Sequence, residues 1–187
     1  MRKRVELPIG SVVVLEGGNV PVCIIGKGFT NNETEKTFDF AGVIYPRGYL
    51  GPDRIYFFNK EDIVKIYSTG LLTDVSKRDW KIENGRCFQG LLPVGSVVRL
   101  KGGDKPVCIV GLGQVTDAKP GEIFDYGAVL FPEGLLSLDG LYMFNNNQIE
   151  EILHVGFMYD EQMQFEDEYI GILIQAREQN TVSFKGE

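Results

Sequence analysis

Glycine-rich runs beside strand-like segments are where a nucleotide phosphate is often cradled. Two stretches therefore come first: "VVVLEGGNVPVCIIGKG" (12–28) and "VVRLKGGDKPVCIVGLG" (97–113). A phosphate loop needs G-x-x-x-x-G-K-[ST] between a strand and a helix. Pro21 stands where its first glycine belongs, Gly28 follows Lys27, and Gly111 is followed by Leu112. The dinucleotide pattern G-x-G-x-x-G fails too, because Asn31 takes the place of its third glycine. These glycines read as hairpin formers.

The remaining reactive residue types are few and scattered. His154 is the single histidine and has no H-x-x-x-H companion, so it reads as a strand-end residue rather than a base. Cys23, Cys87 and Cys108 form no CxxC pair. Cys23 and Cys108 lie in apolar runs, where cysteine behaves as a small buried hydrophobe. No G-x-S-x-G or S-x-x-K arrangement appears. The expectation is a protein that is not an enzyme, with no cofactor and no metal.

Two acids stand out, Asp39 and Asp125, each inside an aromatic strand. Each is expected either to hydrogen-bond loop N–H groups or to anchor a ligand in an aromatic groove. In the first case it would be structural. In the second, Tyr45, Tyr49 and Tyr56 would line the groove, answered by Phe131, Leu135 and Tyr142. The candidate protein-binding set is Tyr45, Tyr49, Tyr56, Phe131, Tyr142, Tyr169 and Leu173, with Asp39 and Asp125 as polar anchors.

These residues are positioned by a repeat. "LPIGSVVVLEGGNVPVCIIGKG" from Leu7 aligns without gaps on "LPVGSVVRLKGGDKPVCIVGLG" from Leu92, an offset of 85 (7 to 92). After one extra residue, "FDFAGVIYPRG" answers "FDYGAVLFPEG" at an offset of 86 (38 to 124), and "YFFNKEDIVKI" answers "YMFNNNQIEEI". Solenoid repeats are shorter, roughly 20–50 residues, and come in threes or more. Two long copies mean a duplicated domain. Each copy reads as five short strands, with a hairpin at Gly17-Gly18 or Gly102-Gly103 and a Pro-x-Gly turn after the third. Asn59-x-x-Asp62 and Asn145-x-x-Gln148 resemble capping boxes, predicting one helical turn before the fifth.

The predicted fold is mainly β: two tandem small SH3-like five-stranded barrels plus a C-terminal amphipathic helix. The domains are 1–70, a linker 71–90 holding Trp80 and packed on a barrel, 91–157, and a helix and tail over 158–187. The helix rests on Phe165, Tyr169, Ile172 and Ala176 at three- and four-residue steps. "YIGILI" in the same stretch also suits a strand.

Composition narrows the partners. The chain has 187 residues and a formal net charge of −7, which repels phosphate backbones, so no nucleic acid is expected. The apolar run after the basic start "MRKR" is too short for a signal core of about 7–15 residues. Nothing approaches the roughly 20 apolar residues of a membrane helix. The expectation is a cytoplasmic protein without membrane insertion. Surface charges differ between copies, as in Arg47 against Glu133 and Glu16 against Lys101, whereas framework residues persist. That suits two similar scaffolds presenting different faces, and equally the drift of solvated positions.

The string "LPxGSVVxLxGG", then "FDY", then "YPxG" or "FPEG", then "YFFN" resembles an uncharacterised family found mainly in Firmicutes. It is the domain of unknown function numbered four thousand one hundred and seventy-six. Members usually carry one copy, so the tandem is a departure. They are often encoded beside type VII secretion loci and their toxins. The resemblance thus implies a non-enzymatic protein-binding accessory, a chaperone, adaptor or immunity-like factor. Its partner would be a secreted toxin or secretion component. The alternative is a small-ligand-binding sensor using a groove between the barrels. Monomer against dimer is left open.

Overall fold

The computed structural model describes residues 7–31, 34–71, 91–137 and 140–158. In the tail it describes Gly171, Ile172, Gln175, Ala176, Glu178 and Gln179. The expected linker packing around Trp80 and most of the expected C-terminal helix lie outside these residues. The six described tail residues have helical backbone, but no helix of any length is established there.

Ten strands fall into two sheets of five. The first copy supplies β1 (Val12–Leu15), β2 (Val22–Thr30), β3 (Thr37–Ile44), β4 (Tyr56–Phe58) and β5 (Ile63–Ser68). The second supplies β6 (Val97–Leu100), β7 (Val107–Val115), β8 (Ile123–Leu130), β9 (Tyr142–Phe144) and β10 (Ile149–His154). Every pairing is antiparallel, in the orders β4-β3-β2-β1-β5 and β10-β6-β7-β8-β9. The sheets do not close into the expected barrels. β4 and β9 are only three residues long and pair on one side alone, so the two ends of each sheet stay apart.

The second strand of each copy runs further than its glycines suggest. β2 continues through Gly26 and Gly28 to Thr30, with a register shift between Ile24 and Gly26, so glycine there makes a bulge, not a turn. Gly17, at φ 71, forms the real hairpin. The turn after β3 closes by Gly48 N–H donating to the Ile44 carbonyl at 2.7 Å, around a cis Tyr45–Pro46 bond. Single 3-10 turns at Lys60–Asp62 and Asn146–Gln148 sit before β5 and β10, both with a capping box.

The two sheets share one core, which includes Val12, Cys23, Ile24, Ile25 and Tyr45 together with Val97, Cys108, Ile109, Val110 and Tyr126. The contact between copies is reciprocal and largely backbone to backbone. Tyr49 N–H donates to the Val110 carbonyl at 2.7 Å, and its counterpart Leu135 N–H donates to the Ile25 carbonyl at 2.8 Å. A Cβ on Gly10 would lie 2.9 Å from the Gly95 oxygen, and one on Gly95 would lie 2.9 Å from the Gly10 oxygen. Chains this close leave no room for side chains. Gly48 and Gly134 carry the same constraint, and both have positive φ.

Candidate functional site: an apolar recess between the copies

Aromatic side chains of the first copy and a loop of the second enclose a recess of about 280 Å³. Phe29 on β2 pairs directly opposite Phe38 on β3, and Phe57 comes from the edge strand β4. The Phe57 ring stands edge-on to Phe29 at 5.4 Å and tilted to Phe38 at 5.8 Å. Gly26 makes the space, since a Cβ there would sit 2.5 Å from Phe29 Cζ. Leu135 and Leu136 close the far side, held by the Leu135 hydrogen bond to Ile25. Among the described residues, Thr30, Asn31 and Ser137 supply the polar lining side chains.

The same place in the second copy is built differently. Gln114 takes the position of Phe29 and is 9% exposed. Its amide nitrogen donates to the Leu112 carbonyl at 2.9 Å and to the Tyr49 carbonyl at 3.1 Å. A buried amide with two acceptors is a filled, satisfied position. Three phenylalanines around open space are not. Among the described lining residues none is titratable. Apolar matter of one or two side chains' bulk is what it can take up.

The expected site residues divide by burial. Tyr45 is 1% exposed, donates its hydroxyl to the Phe157 carbonyl, and belongs to the core. Tyr49 and Phe131 are buried as well, because each turn is covered by the other copy. The groove of Tyr45, Tyr49 and Tyr56 therefore does not form. Tyr56 and Tyr142 are exposed, at 41% and 47%, on the edge strands. Tyr169 and Leu173 lie outside the described residues.

Asp39 and Asp125 are fasteners. The Asp39 carboxylate accepts from Lys60 N–H at 3.0 Å, while Asp39 N–H donates to Asn59 Oδ1 at 3.1 Å. Asp125 repeats this with Asn146 N–H at 2.8 Å and Asn145 Oδ1 at 3.0 Å. Each pair ties the 3-10 turn to the third strand of its copy. Phe29, Phe38, Phe57 and Leu136 were missed by sequence reasoning, and Leu135, expected in a groove of the second copy, lines this recess instead. The available signal was one residue beyond the aligned block, where Phe29 faces Gln114.

The other reactive groups are shielded. Cys23 and Cys108 are free and fully buried, and burial pushes the Cys23 thiol up to about 12. Burial, and then the charge of Cys23, raises Cys108 well above its ordinary value. His154 ends β10, half-buried, and desolvation lowers its pKa. Among the described residues no three His, Cys, Asp or Glu side chains are grouped to hold a metal ion. No helix among them is long and apolar enough to cross a membrane.

The family whose profile matches is described as Domain of unknown function (DUF4176), and it matches twice, over residues 6–78 and 91–165. The chain belongs to that family, as a tandem of two copies. No curated protein and no solved structure matches it.

Proposed function

Starting from membership in a family without an assigned activity, we propose that the chain is a non-enzymatic protein-binding accessory. The observation that carries this is the apolar recess of Phe29, Phe38, Phe57, Leu135 and Leu136, which is open in one copy and filled by Gln114 in the other. Binding energy at protein interfaces concentrates where a few aromatic side chains form a desolvatable pocket. The partner places an apolar side chain there, against the exposed Phe57 of β4. Each copy serves as an opened SH3-like scaffold, with a C-terminal amphipathic helix adding to the surface. A cytoplasmic chaperone, adaptor or immunity-like role toward a type VII secretion toxin or secretion component is the reading to test first.

The test is a native pull-down with the wild-type chain and with Phe57→Ala or Leu136→Asp. The expected result is one stoichiometric protein partner, retained by the wild type and lost by both variants. Equal retention by both variants would remove the recess from the interface. A second reading rests on the recess being walled by both copies: a small apolar ligand could seat there and report on their packing. A ligand that binds only the folded state raises its melting temperature. A metabolite panel that shifts the wild type and spares Phe57→Ala would favour that sensor role.

A further inference from the structure

A second recess, of about 460 Å³, opens on the outside of the first copy. Its apolar lining includes Val20, Ile44 and Leu50, and its charged lining is Arg47 and Arg54. Val20 and Leu50 are 50% and 58% exposed. Arg54 approaches Asp53 at 3.8 Å with both side chains well exposed, a pair of little strength. Arg47 makes no ion pair among the described residues.

The second copy shows the same position closed. Lys105 replaces Val20 and Glu133 replaces Arg47, and the two join at 2.6 Å. Gly140 replaces Arg54. The first copy thus has two guanidinium groups and an aliphatic floor where the second has the Lys105–Glu133 ion pair. Guanidinium groups match carboxylates in a planar, two-point geometry. Two of them side by side, Arg54 only loosely paired with Asp53, stand against the field of a chain of net charge −7.

We propose that this recess binds an acidic peptide, with a carboxylate held by Arg47 and Arg54 and a neighbouring aliphatic side chain laid on Val20 and Leu50. A bare anion would use the arginines and leave the aliphatic floor in water, so the combination selects a peptide carrying both groups. The inference rests on the protein-binding reading and adds the chemical class of the bound segment.

The test is a direct titration that needs no natural partner, so its failure is separate from that of the pull-down. A terminally blocked Leu-Glu-Leu-Glu peptide is added to the ¹⁵N-labelled full chain. The amides of Val20, Arg47, Gly48 and Leu50 shift, and the affinity falls as salt is raised. Val20→Lys with Arg47→Glu installs the second copy's ion pair on an exposed surface. Affinity then drops at least about tenfold, the loss expected when charge-assisted hydrogen bonds are removed. Arg54→Gly, also borrowed from the second copy, weakens binding in the same direction. Unchanged affinity in both variants overturns the proposal. So does a Leu-Gln-Leu-Gln peptide that binds equally well, or inorganic phosphate that reproduces the same shifts at the same concentration.

Discussion

Replacing Gly48 with alanine is the sharpest test of how the two copies are joined. Gly48 has φ +76, a conformation that costs an L-residue about 1–2 kcal/mol. Its added Cβ would also lie 2.5 Å from the Val110 carbonyl oxygen and 2.9 Å from Gly111 Cα. Both are backbone atoms, so relief requires the copies to move apart. That movement strains the adjacent Tyr49 N–H to Val110 hydrogen bond, and disturbing a buried bond of this type costs roughly 1–3 kcal/mol. The total is about 2–5 kcal/mol. Gly17→Ala is the internal control, because Gly17 has φ +71 and nothing within 4 Å of its would-be Cβ. It should lose only the conformational share, about 1–2 kcal/mol. Urea unfolding followed by circular dichroism gives both values from the midpoint and slope. If the two variants lie within about 0.5 kcal/mol of each other, the close approach at Gly48 contributes nothing and the reasoning is refuted.

Other outcomes follow from the same contacts. In the native state Cys23 and Cys108 should resist a thiol reagent at mildly alkaline pH and react only at the rate of unfolding, because burial keeps both protonated; rapid labelling of either would contradict their placement. Unfolded thiols lose their proton near pH 8.5, whereas native Cys23 holds it to about 12, so stability should fall as pH rises between these values. Cys23→Ala should flatten that decline, as read by melting temperature against pH. Desolvation lowers the His154 pKa, so the unfolded chain takes up the proton first and His154 contributes stability that is lost as pH falls below about 6.5; an NMR titration placing it above that value would contradict the burial. Gln114→Leu removes both amide hydrogen bonds and should cost about 1–3 kcal/mol in urea unfolding.

Much of the fold was legible because it is encoded locally. Short apolar, β-branched runs mark the strands, Gly17 marks the hairpin, and Asn59-x-x-Asp62 marks the 3-10 turn; each signal acts within a few residues. What escaped was set by distant partners. Gly26 and Gly28 look like breakers, yet β2 runs through them because β3 pairs along its whole length. Tyr45 and Tyr49 look like surface aromatics after a strand, but Phe157 and Val110 of the other copy cover them. Open sheets instead of closed barrels follow from the shortness of β4 and β9, a matter of pairing register that a single strand does not announce. At the recess, Phe29 reads as an ordinary strand residue, and only the glycine behind its ring and the leucines arriving from the second copy turn it into a wall.

The reciprocal contacts of Gly10 with Gly95, and of the Gly48 turn with Val110 matched by the Gly134 turn with Ile25, make the inner surface self-complementary. Such a surface is isologous: a homodimer could use it, with each subunit offering the other the same patch. In a homodimer every substitution appears twice, so an outer face cannot change on one side alone. Joining the copies in one chain removes that restriction and keeps the partner surface at a high effective concentration. Each outer face is then free to diverge while the inner one stays constrained. The open recess at Phe29 against the plugged one at Gln114, and Arg47 against Glu133, are asymmetries that a symmetric pair could not display.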